Sequence, residues 1–182
     1  MLDCLLQIDG QLLTAIQNLH ISWLNPAMSF YTKLGDAGIL WISLALGLLI
    51  SKRTRKAGVL ALIAMALGLL VTNFTIKPLV ERPRPWLDWP IAPLVVEDDP
   101  NSFPSGHTCA AFAAAMIWAK TLPGRRSRIW AVALAVLMGL SRLYVGVHYP
   151  SDVLVGAMVG SLCAWVVWKA SQVWEDSRNR VL

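Results

Sequence analysis

The sequence predicts an all-α protein, an integral-membrane helical bundle, and three observations carry that prediction. Of 182 residues, 56% are hydrophobic and only 15% charged. Soluble domains carry roughly 25% charged residues. A chain this short also leaves much of itself on the surface, where water would meet large apolar patches. The apolar residues gather into five runs, and the basic residues gather between them. Lys52, Arg53, Arg55 and Lys56 form one basic cluster; Lys120, Arg125, Arg126 and Arg128 form another.

Residues 1–36 read as an amphipathic interfacial segment. Leu6, Leu13 and Ile16 recur at helical spacing, with Asp9, Gln11 and Gln17 between them. That pattern suits a helix lying on a membrane surface. A second short helix is expected over 26–34. The early Asp3 and Asp9 and the lack of a basic start do not fit a cleaved signal peptide.

Residues 37–172 read as the transmembrane unit, with about five helices over 37–50, 57–76, 104–119, 129–141 and 153–168. Crossing the hydrocarbon core takes roughly 20 residues. Only the second run has that length unaided, so the others must borrow polar flanks, tilt, or shelter behind neighbours. Residues 173–182 read as a cytoplasmic tail.

The basic clusters join runs one to two and three to four, which places those loops in the cytoplasm. Residues 77–103 and 142–152 then face outward, at a cytoplasmic (inner) membrane. The first of these connections holds Glu81, Asp88, Glu97, Asp98 and Asp99, with Trp86 and Trp89 as interfacial anchors. A connection of that length inside a compact unit points to function. Asp98 and Asp99 read as solvated acids without a role. The net charge of +5 is accounted for by the cytoplasmic loops, so no nucleic-acid partner is expected. Cys4, Cys109 and Cys163 have no metal or redox spacing and read as small apolar residues.

Ionisable residues at membrane depth are costly and read as functional. The antiparallel order puts the end of run two, the start of three, the end of four and the start of five on one face. Lys77, Arg84, His107, Arg142, His148 and Asp152 therefore converge from distant parts of the chain. Pro104-Ser105-Gly106-His107 reads as a helix start, whose free N–H groups and dipole favour an anion. Three fixed cations beside it make a phosphate cradle. Asp152 lies four residues after His148, where it can accept from one imidazole nitrogen and leave the other free to attack. His20 reads as a polar residue at the interface.

These residues fall into three groups: Lys77-x6-Arg84-Pro85, Pro104-Ser105-Gly106-His107, and Ser141-Arg142-x5-His148-x3-Asp152. In order and spacing they resemble the three signature motifs of the type 2 phosphatidic-acid phosphatase superfamily. All eleven specified positions are filled, over residues 77–152. Within that superfamily the chain is most similar to the membrane lipid phosphatases, especially small bacterial undecaprenyl-diphosphate phosphatases.

The resemblance implies that His148 is a nucleophile forming a phosphohistidine, that Asp152 orients it, and that His107 is the general acid. It implies that Lys77, Arg84, Ser105, Gly106 and Arg142 bind the phosphoryl oxygens, with no metal and no cofactor. The implied partners are the bilayer and a lipid phosphate or diphosphate. Phosphatidylglycerophosphate and phosphatidic acid are alternative substrates. A soluble vanadium haloperoxidase shares the cradle but not this composition. A catalytically silent phospholipid-binding protein would not need the paired histidines.

Overall fold

The computed structural model describes the backbone of residues 2–181 and the side chains of residues 6–180. It is a bundle of helices, and among the described residues the only β pairing is an isolated bridge between Pro83 and Asn101.

Helix α1 (Leu2–Gln17) is amphipathic, and it turns Asp9 inward while Gln7 and Gln11 stay exposed. Asp9 and Leu13 are buried, whereas Leu6, Ile8 and Leu12 are exposed. The Asp9 carboxylate thus faces the protein interior. Where lipid is the solvent, apolar side chains cover the outside and a costly carboxylate turns toward protein partners. Gln17 continues the attachment, its Nε2 donating to Leu143 O at 2.8 Å and to Tyr144 O at 3.2 Å. His20 Nε2 lies 2.7 Å from Tyr144 O, the contact of an interfacial polar residue.

Helix α2 (Leu24–Leu34) and helix α3 (Ile39–Leu49) meet through a short turn at Asp36–Gly38. Ala37 and Gly38 have positive φ there, and the axes bend by 55°. The two helices are long and apolar enough for one span only when taken together. The first apolar run therefore continues from α2 rather than starting afresh at residue 37.

Helix α4 (Arg55–Val71) passes through a π turn at Thr72–Ile76 into α5 (Lys77–Val80). The whole stretch is 26 residues, and its most apolar window has a mean hydropathy of 2.3. The π turn has a cause in the sequence. Pro78 lacks an N–H and its ring presses on the carbonyl four residues back, so the helix loosens just before Lys77. Helix α6 (Pro85–Asp88) is one turn within the long connection.

Helix α7 (Gly106–Thr121) sits at the centre, packed against α4, α8 (Arg125–Tyr144) and α9 (Pro150–Val181). It buries Ala111, Ala113, Ala114, Ala115, Ile117 and Trp118. Helix α9 approaches it very closely. A Cβ on Gly156 would come within 2.5 Å of Ser105 O, and one on Gly160 would overlap Cys109 O. Small residues at such positions let helix backbones meet in lipid.

Among the described residues, three helical stretches have the length and hydropathy to cross a membrane: Arg55–Val80, Arg125–Tyr144 and Pro150–Arg180. The bent α2–α3 pair makes a fourth. The count of about five included α7, whose 16 residues reach roughly 24 Å at 1.5 Å per residue. Enclosed by other helices, α7 is free of the need to match lipid thickness. Helix α9 also runs past residue 172 without a break, and Glu175 pairs with Lys56 at 2.7 Å.

Candidate active site

The ends of α5, α7, α8 and α9 that the antiparallel order places on one face do meet there. Lys77, Arg84, Gly106, His107 and His148 line a cavity of about 410 Å³, together with Glu97 and Asp99. Most of the remaining wall is apolar, including Ile42 of α3, Leu62, Met65 and Leu69 of α4, and Ala110 of α7, with Thr72 and Asn73 as its polar members. Arg142 and Asp152 are fully buried behind this lining.

Ser105 caps α7. Its Oγ accepts from Thr108 Oγ1 at 3.0 Å and Thr108 N at 3.4 Å, a cap that contributes about 1 kcal/mol. Accepting both bonds leaves its own hydroxyl proton to give, but Ser105 is fully buried and does not line the cavity. Gly106 does line it. A Cβ there would meet only Asn73 Oδ1, at 3.6 Å. No clash with the protein therefore accounts for a glycine here, and the open space beside the first helical N–H groups is available to a ligand.

His148 faces a partner on each side, and its Nδ1 makes no hydrogen bond. Arg84 Nη1 lies 3.1 Å from His148 Nε2. Guanidinium only donates, so Nε2 must carry a lone pair and the proton of the neutral ring sits on Nδ1. Nδ1 faces Asp152 Oδ2 at 3.4 Å. Burial, and next the charges of Arg142 and Arg84, hold the imidazole well below its ordinary value of 6.5. Asp152 Oδ2 also accepts from Tyr149 N at 2.9 Å, and its Oδ1 accepts from Arg82 Nη1 at 2.8 Å.

Carboxylates engage the cations. Glu97 bonds Arg142 Nη2 and stands 3.6 Å from Arg84 Nη2. Asp99 bonds Lys77 and accepts from Asn101 N at 2.9 Å. Burial raises the Asp99 pKa, but Lys77 and the Asn101 N–H outweigh it, and the net shift is downward. For Arg84, burial first and Arg142 after it lower the pKa, with Glu97 and Asp99 offsetting part. Asp36, at the α2–α3 bend, accepts from His107 Nε2 at 2.9 Å. Arg142 Nη1 donates to Thr32 Oγ1 at 2.8 Å, while its buried Nε has no protein partner. Asp99 is therefore no idle solvated acid: it is the ion partner of Lys77.

Ligand atoms of Asp36, Glu97 and His107 lie within 4.8 Å of one another, a spacing a cation could bridge. In this structure Glu97 is engaged by Arg142 and His107 by Asp36.

Sequence reasoning missed five residues: Asp9, Asp36, Arg82, Glu97 and Asp99. Asp9 and Arg82 carried a signal that could have found them. Each is an ionisable group in or beside an apolar helix, the criterion that found the histidines. Trp86 and Trp89 pack inward in part. The Arg84 guanidinium sits 5.8 Å from the Trp86 ring, and Trp89 packs on the Leu13–Ile91–Tyr149 cluster.

Apolar spans, a cavity with one cationic end and two histidines define a membrane enzyme that handles phosphoryl groups. The chain belongs to the PAP2 superfamily, whose sequence profile matches residues 57–176. An undecaprenyl-diphosphatase of Sulfolobus acidocaldarius is 32% identical over 158 residues, 85% of this chain and 72% of that one. The crystal structure of Aquifex aeolicus LpxE has a TM-score of 0.77 at 26% identity, over 87% of this chain and 93% of that one. The crystal structure of a transmembrane PAP2-type phosphatidylglycerolphosphate phosphatase from Bacillus subtilis has a TM-score of 0.76 at 32% identity. It covers 93% of this chain and 87% of that one. The chain is a lipid phosphatase, a hydrolase embedded in a membrane.

Proposed function

We propose that this protein hydrolyses undecaprenyl diphosphate to undecaprenyl phosphate and inorganic phosphate through a phosphohistidine on His148. The observation that carries the reading is the cavity itself. One end presents Lys77, Arg84, His107 and His148 with the acids Glu97 and Asp99, and the remainder is a mostly apolar wall formed by α3, α4 and α7. A phosphoryl group suits the first part and a lipid chain the second.

In this reading the terminal phosphate displaces Glu97 and Asp99 from Arg142, Arg84 and Lys77. Arg84 turns from His148 Nε2 to a phosphoryl oxygen and frees the lone pair. Nε2 attacks phosphorus while the bond to the bridging oxygen breaks. Protonated His107 gives its proton to that leaving oxygen. Water then attacks the phosphohistidine, neutral His107 takes the water proton, and the phosphorus–nitrogen bond breaks to return His148. Asp152 holds the Nδ1 proton and offsets the positive charge that develops on the ring. The Gly106 N–H completes the cradle, and Ser105 caps the helix start that presents it. Fixed cations supply the charge stabilisation, so the reaction needs no metal and no cofactor.

The same machinery fits phosphatidylglycerophosphate, the second reading, which the likeness to the Bacillus subtilis phosphatase favours. The site faces outward from the cytoplasmic membrane. Supporting this, the exposed basic residues Lys52–Lys56 and Arg125–Arg128 lie at the opposite helix ends.

The test is phosphate release by detergent-purified protein in excess EDTA, from undecaprenyl diphosphate, phosphatidylglycerophosphate and phosphatidic acid, with His148→Ala beside each. Preference for the prenyl diphosphate, lost in His148→Ala, is the expected result. Preference for a glycerolipid would replace the substrate and keep the mechanism. Release from none of the three would contradict the proposal.

A further inference from the structure

Behind the His148–Asp152 pair lies a second polar cluster built from residues outside the three motifs. Arg82 is its centre. Nη1 donates to Asp152 Oδ1 at 2.8 Å and to Ser151 Oγ at 2.7 Å. Nη2 donates to Asp9 Oδ2 at 2.8 Å. Its guanidinium lies 3.7 Å from the centre of the Tyr149 ring. Asp9 in turn accepts from Ser151 N at 2.9 Å and bonds Ser151 Oγ. The side chains of Asp9 and Arg82 are each about nine-tenths buried.

We propose that Arg82, seated by Asp9, is a positioning residue for phosphoryl transfer, and that α1 is thereby part of the catalytic apparatus rather than only an anchor. This rests on the reading of His148 as nucleophile and Asp152 as its orienting partner.

Asp152 receives Tyr149 N–H on Oδ2 and Arg82 on Oδ1, so donors on opposite sides fix the rotation of its carboxylate. Only that rotation keeps Oδ2 facing His148 Nδ1. A long arginine would not hold one rotamer by itself. Asp9 on Nη2 and the Tyr149 ring on its face hold the guanidinium in place, so one planar fork serves two carboxylates. Asp9 also takes both donors of Ser151, the residue next to Asp152.

Charge gives the second strand. Asp152 is fully buried, and a buried carboxylate without a countercharge takes up a proton or turns away. Arg82 supplies that countercharge. With Asp9 included, the three groups sum to one negative charge. That is the balance needed to stabilise an imidazole ring gaining positive charge as its Nε2 bonds to phosphorus. Arg82 itself does not line the cavity that holds Lys77, Arg84 and His148, so its effect falls on the chemical step and not on binding.

The experiment measures kcat, KM, vanadate inhibition and the thermal midpoint of the full chain in detergent, on undecaprenyl diphosphate and phosphatidylglycerophosphate. The variants are Arg82→Gln, Arg82→Lys, Asp9→Asn and His148→Ala. Arg82→Gln should lower kcat roughly 10- to 100-fold, the factor for one lost hydrogen bond to a charged group. KM and vanadate inhibition should stay within about twofold. Arg82→Lys should recover part of kcat, and Asp9→Asn should give a smaller loss of the same kind. Should Arg82→Gln fail to fold, the same-shaped Asp9→Asn decides. Wild-type kcat in Asp9→Asn, or a fall in Arg82→Gln no larger than its loss of folded protein, overturns the proposal while an inactive His148→Ala leaves the phosphohistidine reading standing. Turnover by His148→Ala would sink that reading itself, and the proposal with it.

Discussion

Arg84 Nη1 and His148 Nε2 face each other at 3.1 Å. A cation that only donates thus pins the lone pair of the histidine and, through it, the tautomer: Nδ1 carries the proton toward Asp152. The pair also explains how a buried imidazole surrounded by Lys77, Arg84 and Arg142 stays neutral. Protonating it would add a fourth positive charge to the cluster.

A pH dependence follows with a definite sign. Burial and the neighbouring arginines hold His148 well below 6.5 in the folded state. Above pH 6.5 neither state protonates this ring, and it has no effect on stability. Below 6.5 the unfolded chain gains a proton that the folded site refuses. Stability therefore falls with falling pH, by at most about 1.4 kcal/mol per unit. Thermal unfolding of wild type and His148→Gln from pH 7.5 to 5 should show the steeper loss in wild type. Nitrogen NMR should show a neutral His148 at pH 6. A doubly protonated ring at that pH would contradict the account.

Glu97 bonds Arg142 and reaches Arg84, so an incoming phosphoryl group must displace it. Glu97→Gln keeps the shape and removes the competing charge. Vanadate and inorganic phosphate should then inhibit at lower concentration, by roughly 10-fold, the equivalent of one charged hydrogen bond. Unchanged inhibition would mean that Glu97 does not compete for the cradle.

Much of this site was legible because its residues obey spacing and parity. Lys77, Arg84, His107, Arg142, His148 and Asp152 sit at helix ends, and antiparallel order brings such ends together whatever the packing. The acids were harder to place. Glu97 and Asp99 lie in an irregular connection, where no periodicity tells which side chain turns inward. Asp9 was not singled out because acids between leucines read only as the polar part of an amphipathic helix at a membrane surface. In lipid the same pattern turns its acid toward protein. Helix α7 is less plain as a span, since apolar length measures exposure to lipid and α7 is largely covered by protein.

Close packing of α9 on α7 gives a stability prediction. A Cβ on Gly156 would stand 2.5 Å from Ser105 O, a backbone atom that does not move independently. Gly156→Val should cost about 1–3 kcal/mol, as overpacking does, and should lower the thermal midpoint. Because Ser105 begins the segment that carries His107, kcat should fall as well. An unchanged midpoint would show that α7 and α9 have slack at this crossing.

The central claim is that phosphate passes through His148. The direct measurement is rapid quenching of enzyme with undecaprenyl diphosphate labelled in its terminal phosphate, in excess EDTA, followed by peptide mapping. The account predicts a label that is lost in acid and kept in alkali, carried on the peptide containing His148 and absent from His148→Ala. Phosphate release at the full rate with no label on His148, or release that EDTA abolishes and magnesium restores, would contradict it.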